Sequence, residues 1–237
     1  MTKNNTDIQE SAAGLKSFML LKKKWKDFYR NLGLDSLVET LDFGDVPIDV
    51  TELRKDSETI LLFPVGVQKR CLAYLKDACE RSINGCDPGE IWLSPDTVGP
   101  NFPNNISFED RPEIPYVLCL ENSQEPPKET TETPHDNVKS GGELRKILKE
   151  KKRTGLTLFE YFVFRRNLIS QCIVKKNKNH FPDTMHSTWL LNSSLPDERI
   201  LVAGAHTDGM LKIWAWPKSY KEHNCQGARW GVVVPLV

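Results

Sequence analysis

An Asp208-Gly209 dipeptide stands between two apolar runs, Arg199 to Ala205 and Met210 to Trp216, and it decides more about this chain's fold than any other pair of residues. Aspartate followed by glycine fits a two-residue turn whose central residues take positive φ, so the flanking runs are expected to form an antiparallel hairpin. With Thr207 opposite Met210, Ala205 falls opposite Lys212, Ala203 opposite Trp214 and Leu201 opposite Trp216, all on one face. Val202, Gly204, His206, Leu211, Ile213 and Ala215 take the other face, which is also apolar. A helix laid over the tryptophans is the ordinary reason for such a face, since large rings mostly serve burial. The functional alternative is that Trp214 or Trp216 lines a groove for a ligand or partner.

The β texture extends on both sides of the hairpin, with further strands expected at Thr188 to Leu191 and Arg229 to Val234. Upstream, Thr59 to Val65, Glu90 to Ser94 and Pro115 to Leu120 are short apolar runs bounded by turn residues and read as strands. Helices alternate with them. Leu15, Phe18, Met19, Trp25, Phe28 and Leu32 recur near helical spacing and predict a helix over 8–32, with Gly33 as its stop and a basic outer face. That face offers contact with a membrane surface or nucleic acid, though a charged helix face is usually just solvated. Leu72, Leu75, Cys79 and Ile83 mark a second amphipathic helix over 67–83, ended by Asn84-Gly85, with Cys79 on its buried stripe. Ser140 with Glu143 and Thr157 with Glu160 both match the capping box, implying helices over 143–152 and 158–169. In the second, Phe159 to Phe164 is aromatic enough for a strand, and the cap decides for helix. Between them, 121–142 is rich in proline and nearly free of apolar residues, and it reads as a flexible excursion.

These elements imply an α+β protein with a largely antiparallel C-terminal sheet, packed with N-terminal and central helices as one domain over 1–237. The 32 basic and 32 acidic residues cancel, so no global field directs the molecule toward nucleic acid or anionic lipid, and nucleic acid is a disfavoured partner. No apolar stretch approaches the roughly 20 residues of a spanning helix. The N-terminus lacks the pattern of a secretory signal, and six scattered cysteines with no C-x-x-C pair suit reduced thiols, so a soluble, cytoplasmic protein is expected.

His180, Asp183 and His186, followed by His206 and Asp208, form the richest polar cluster and would suit zinc or iron if they converged. No H-E-x-x-H helix supports that, and no metal is expected. Cys172 with His180 or His186, and Cys225 with His223, are the sequence-local thiol and imidazole pairings, yet free cysteine usually behaves as a small buried hydrophobe. A G-x-S-x-G elbow is absent, as are the glycine-rich phosphate loops, so no cofactor is expected. Clustered cations from Lys146 to Arg153, and at Lys175, Lys176 and Lys178, are available to contact phosphate.

The order of elements in the second half resembles an uncharacterised, mainly bacterial family of domains of unknown function. The resemblance rests on Arg111-Pro112-Glu113-Ile114-Pro115-Tyr116-Val117-Leu118 as a strand, Gly155-Leu156-Thr157-Leu158-Phe159-Glu160 opening a helix, Lys178-Asn179-His180, and the Trp-rich hairpin around Ile213-Trp214-Ala215-Trp216. It covers about residues 110 to 235. Where that family closes with a compact Gly-Asn-x-His segment, this chain has the longer 217–227 containing His223-Asn224. The resemblance implies an intracellular α+β domain and brings no catalytic residue. A non-enzymatic binding or regulatory protein for a protein or small-molecule ligand is the expectation, with Trp214, Trp216, His180, His186, His206 and Asp208 as candidate binding residues. The alternative is a hydrolase-like enzyme using His180, His186, His206 and Asp208.

Overall fold

A computed structural model describes residues 5–34, 59–64, 67–82, 87–95, 98, 101–120, 126, 139–174, 181–206, 209–221 and 226–236. The elements in chain order are α1 (Asn5–Asn31), β1 (Thr59–Phe63), α2 (Val67–Glu80), β2 (Ile91–Leu93), β3 (Ser107–Phe108), β4 (Tyr116–Leu120) and α3 (Gly141–Glu150). They continue with β5 (Thr154–Gly155), α4 (Leu158–Val174), β6 (Ser187–Ser194), β7 (Ile200–Ala205), β8 (Leu211–Trp216), β9 (Gln226–Gly227) and β10 (Trp230–Pro235). This is a mixed α+β fold with two sheets. One runs β1-β4-β10-β5, and the other β2-β8-β7-β6-β3 with β9 also on β6. Pairing is antiparallel except at β2 with β8 and β6 with β9. The stretch 121–142 lies outside the described residues except for Pro126 and Lys139 to Gly142, the last of which open α3.

The stop of α1 stands where its sequence signal does, whereas α2 ends at Glu80, short of the expected 83, and α4 continues to Val174, beyond the expected 169. Gly33 takes a φ of 75°, with its N–H on the Arg30 carbonyl at 2.8 Å and the Leu34 N–H on the Tyr29 carbonyl at 3.0 Å. Those two bonds satisfy the last carbonyls of α1 in the Schellman pattern. One turn of α1 then closes the outer edge of β1. The Trp25 indole N–H donates to the Ile60 carbonyl at 3.1 Å, and the Tyr29 hydroxyl donates to the Leu62 carbonyl at 2.8 Å. Four helical residues advance about 6 Å and two strand residues about 6.8 Å, so the two spacings match.

The aromatic run from Phe159 to Phe164 is helical, as its cap requires. The Glu160 N–H donates to Thr157 Oγ1 at 3.2 Å and the Thr157 N–H donates to Glu160 Oε2 at 2.7 Å, completing the box. From Leu158 to Ile169 every residue of α4 is buried, so its aromatic composition reflects packing on all sides rather than strand propensity. Arg166 of α4 donates to the carbonyls of Cys79 at 3.3 Å and Arg81 at 2.5 Å, satisfying the end of α2. On α2, Leu72, Leu75 and Cys79 are buried as the periodicity predicts, and Ile83 lies outside the described residues.

The β7-β8 hairpin forms, but in a register one residue away from the expected one. Ala205 pairs with Leu211, Ala203 with Ile213, Val202 with Trp214 and Ile200 with Trp216. The His206 N–H donates to the Met210 carbonyl at 2.8 Å, so the connection has three residues instead of two. Gly209 carries the positive φ of 93° that ends such a loop, and a Cβ there would stand 2.4 Å from the Phe181 ring. The extra residue changes each strand's partner but leaves side-chain alternation intact, so Trp214 and Trp216 still share a face. Leu201, Ala203, Leu211, Ile213 and Ala215 face the main core, and Ile200, Val202 and Trp189 face the stripe of α3 formed by Leu144 and Leu148. Trp214 and Trp216 are half-buried at the border of that second cluster, edge to face with ring centroids 5.5 Å apart. The last strand, β10, leaves the hairpin's sheet and pairs with β4 and β5 in the other one.

Candidate functional site

The candidate site lies where the two sheets meet. β5 belongs to the four-stranded sheet through β10, yet it also abuts β6: the Asn192 N–H donates to the Leu156 carbonyl at 3.2 Å, and a Cβ on Gly155 would stand 2.6 Å from Leu191. Along this seam runs a cleft of about 560 Å³, with α3 as one wall. Leu148, Leu191, Val232 and Val233 form its apolar side. Four cations, Arg145, Lys149, Lys152 and Arg153, face two carboxylates, Glu109 and Asp110, with Thr154 and Asn192 between them.

Helical spacing places these cations. Leu144 and Leu148 turn into the sheet, and Arg145 and Lys149 follow each by one residue, on the neighbouring stripe. Arg145 is held from two sides: Nη1 donates to Glu109 Oε2 at 2.9 Å, and Nη2 donates to the Leu191 carbonyl. Its Nε is buried and has no partner among the described residues. The Arg153 guanidinium lies over the Trp230 ring, 4.4 Å from the centroid. Lys152 ends α3 with a φ of 53°, its N–H on the Lys149 carbonyl at 3.1 Å and the following N–H on the Leu148 carbonyl at 2.8 Å. This is again the Schellman pattern, but with lysine at the position where glycine is the default. Asp110 also has a positive φ, 52°, and its carboxylate accepts from the Asn192 amide at 3.4 Å.

No protein-family model, curated protein or solved structure matches this chain.

A buried arginine supports the cleft from beneath. All five N–H groups of Arg111 are bonded: Nε and Nη2 to Glu160 at 2.5 and 2.6 Å, Nη2 also to the Gly155 carbonyl at 2.6 Å, and Nη1 to the Asp110 carbonyl and Thr154 Oγ1, both at 3.0 Å. Three of those partners line the cleft. Burial works against the Arg111 cation, but Glu160 outweighs it and its pKa stands above the ordinary value. Tyr116 donates to the same Glu160 at 2.7 Å, and burial, reinforced by that carboxylate, pushes its phenol up. The Thr157 to Glu160 cap, Arg111 and the cleft floor thus form one connected unit.

The residues singled out from sequence are placed elsewhere. His206 is exposed at the mouth of the hairpin and His186 is half-buried just before β6. His180 and Asp208 lie outside the described residues. Among the described residues no group of three metal-ligating side chains converges. Asp183 of the same segment is buried and bonded: Arg229 Nη2 donates to Oδ1 at 2.7 Å, and the Tyr161 hydroxyl donates to Oδ2 at 2.6 Å. Cys79 is buried with its thiol pushed up to about 12 by desolvation, which removes the thiolate that nucleophilic chemistry needs. The side chains of Cys172, His223 and Cys225 are outside the described residues, as are Lys175, Lys176 and Lys178.

Three of the cleft's four cations, Lys149, Lys152 and Arg153, belong to the run from Lys146 to Arg153, and Arg145 directly precedes it. Its cations were legible as available for phosphate, but not its partners. Glu109, Asp110, Asn192 and the β10 residues come from distant segments brought together by the sheet order, which no local pattern reports. One available signal was the recurrence of positions 145, 149 and 152 beside the Leu144 and Leu148 stripe.

Proposed function

We propose that this chain is a non-enzymatic intracellular binding protein that takes a small anionic ligand in the cleft at the sheet seam. The observation that carries this reading is the cleft's composition: four cations, outnumbering two carboxylates, beside an apolar wall. A cleft of about 560 Å³ falls among ligand-sized sites, which run from about 300 to 1,000 Å³. The backbone of Lys152 adds support, because a side chain held at positive φ where glycine is the default points to a role for that side chain. Cys79, buried as a free thiol, suits a reducing compartment.

The test is thermal denaturation of the purified chain against inorganic phosphate, sulfate and citrate, with a Lys149→Glu variant alongside. Anions that bind the native state raise the melting temperature in a concentration-dependent way. The expected result is such a rise in the parent and its loss in Lys149→Glu. If no anion in the panel moves the parent more than it moves the variant, the reading is wrong.

A further inference from the structure

Resting on the anion-binding reading, we infer that the ligand of this cleft is a soluble phosphate monoester with an apolar body. After Glu109 and Asp110 are set against Arg145, Lys149, Lys152 and Arg153, two positive charges remain. A phosphate monoester carries roughly −1.5 to −2 at neutral pH and matches that excess, whereas a monocarboxylate carries a single charge.

Geometry points the same way. Both arginines are oriented before any ligand arrives, Arg145 by Glu109 and the Leu191 carbonyl, Arg153 by the Trp230 ring. Guanidinium groups present forked donors suited to the several oxygens of a phosphoryl group, and prior orientation lowers the ordering cost of binding. The Arg145 side chain lines the cleft and remains part-exposed there. Lys149 and Lys152, both exposed, supply mobile ammonium groups at the rim. The cleft is also much larger than a phosphate ion, and Leu148, Leu191, Val232 and Val233 offer the remainder of the ligand an apolar surface.

The experiment compares phenyl phosphate, benzoate and inorganic phosphate by calorimetric titration of the full chain, with Arg153→Gln and Lys149→Glu as variants. Phenyl phosphate is expected to bind about tenfold or more tighter than benzoate, and tighter than inorganic phosphate. Its affinity should rise with pH through about 6, where the second phosphate proton is lost, while benzoate affinity stays level. Both variants should melt near the parent and weaken phenyl phosphate. Benzoate binding as tightly as phenyl phosphate would overturn the phosphate assignment while leaving the anion reading standing, and binding of none of the three would sink both. Equal affinity for inorganic and phenyl phosphate would remove the apolar body. Cosedimentation with phosphatidate vesicles, without phenyl phosphate binding, would place the phosphate in a lipid headgroup and overturn the soluble ligand.

Discussion

Arg111 and Arg145 approach the same cleft, one from below and one from its wall, and they differ in how fully their donors are used. Every N–H of Arg111 meets an acceptor and its side chain is almost wholly buried against Glu160. Arg145 keeps a bare Nε, and its bond to Glu109 is partly open to solvent. A buried, fully bonded guanidinium fixes surrounding elements and has nothing left for a ligand; a part-exposed one is held in place yet available. Exposure separates the two: the Arg111 side chain is 5% exposed and that of Arg145 28%.

The comparison is tested most severely at Glu160. Glu160→Ala leaves Arg111 buried and unpaired and is expected to cost about 3–5 kcal/mol, read as a shift in the urea midpoint. A loss below 1 kcal/mol would mean that Arg111 is not the keystone described. The next effect has the opposite sign. Lys152→Gly relieves a side chain held at positive φ and is expected to stabilise the chain by about 1–2 kcal/mol while weakening anion binding. Destabilisation by that change would show the backbone there to be unstrained. Arg145→Met removes a partly exposed ion pair and should cost about 1 kcal/mol or less, since such pairs contribute little, yet it should reduce anion affinity.

The smallest effect concerns Glu143, whose carboxyl is lowered from 4.5 to about 2 by the Lys221 ammonium and then by the Ser140 N–H of the α3 cap. A depressed carboxyl contributes stability that is complete above its unfolded pKa and is lost as pH falls through the folded value. Glu143→Gln keeps the capping geometry and removes the charge. Parent and variant should therefore differ in melting temperature at neutral pH and converge between about pH 4.5 and 2. A difference that persists unchanged at pH 2 would assign it to something other than this charge.

Local chemistry made much of the architecture readable. Two capping boxes and the Gly33 stop are each complete within a few residues, so neighbouring atoms settle them. The hairpin register was lost to a single residue, because Gly209 works as the last position of a three-residue loop as readily as the second of two. The division of strands into two sheets was hidden for a different reason. β10 follows the hairpin in sequence but pairs with β4, more than a hundred residues earlier, and only tertiary packing chooses between those partners. Likewise the cleft's cations and Leu148 stood together in the chain, while its carboxylates and the rest of its apolar wall arrive from the loop before β4, β6 and β10.

The two side chains that α1 lays along β1 have a bearing on what this protein does when crowded. An open sheet margin recruits other chains by offering a repeating row of carbonyls and amides, and Trp25 and Tyr29 occupy the carbonyls at the spacing an incoming strand would need. The helix thus acts as a counterfeit strand that terminates growth. Partial undocking of α1 would uncover a short, largely apolar template with both sheets otherwise intact, so the route to self-assembly runs through a helix that comes loose and not through a sheet that comes apart.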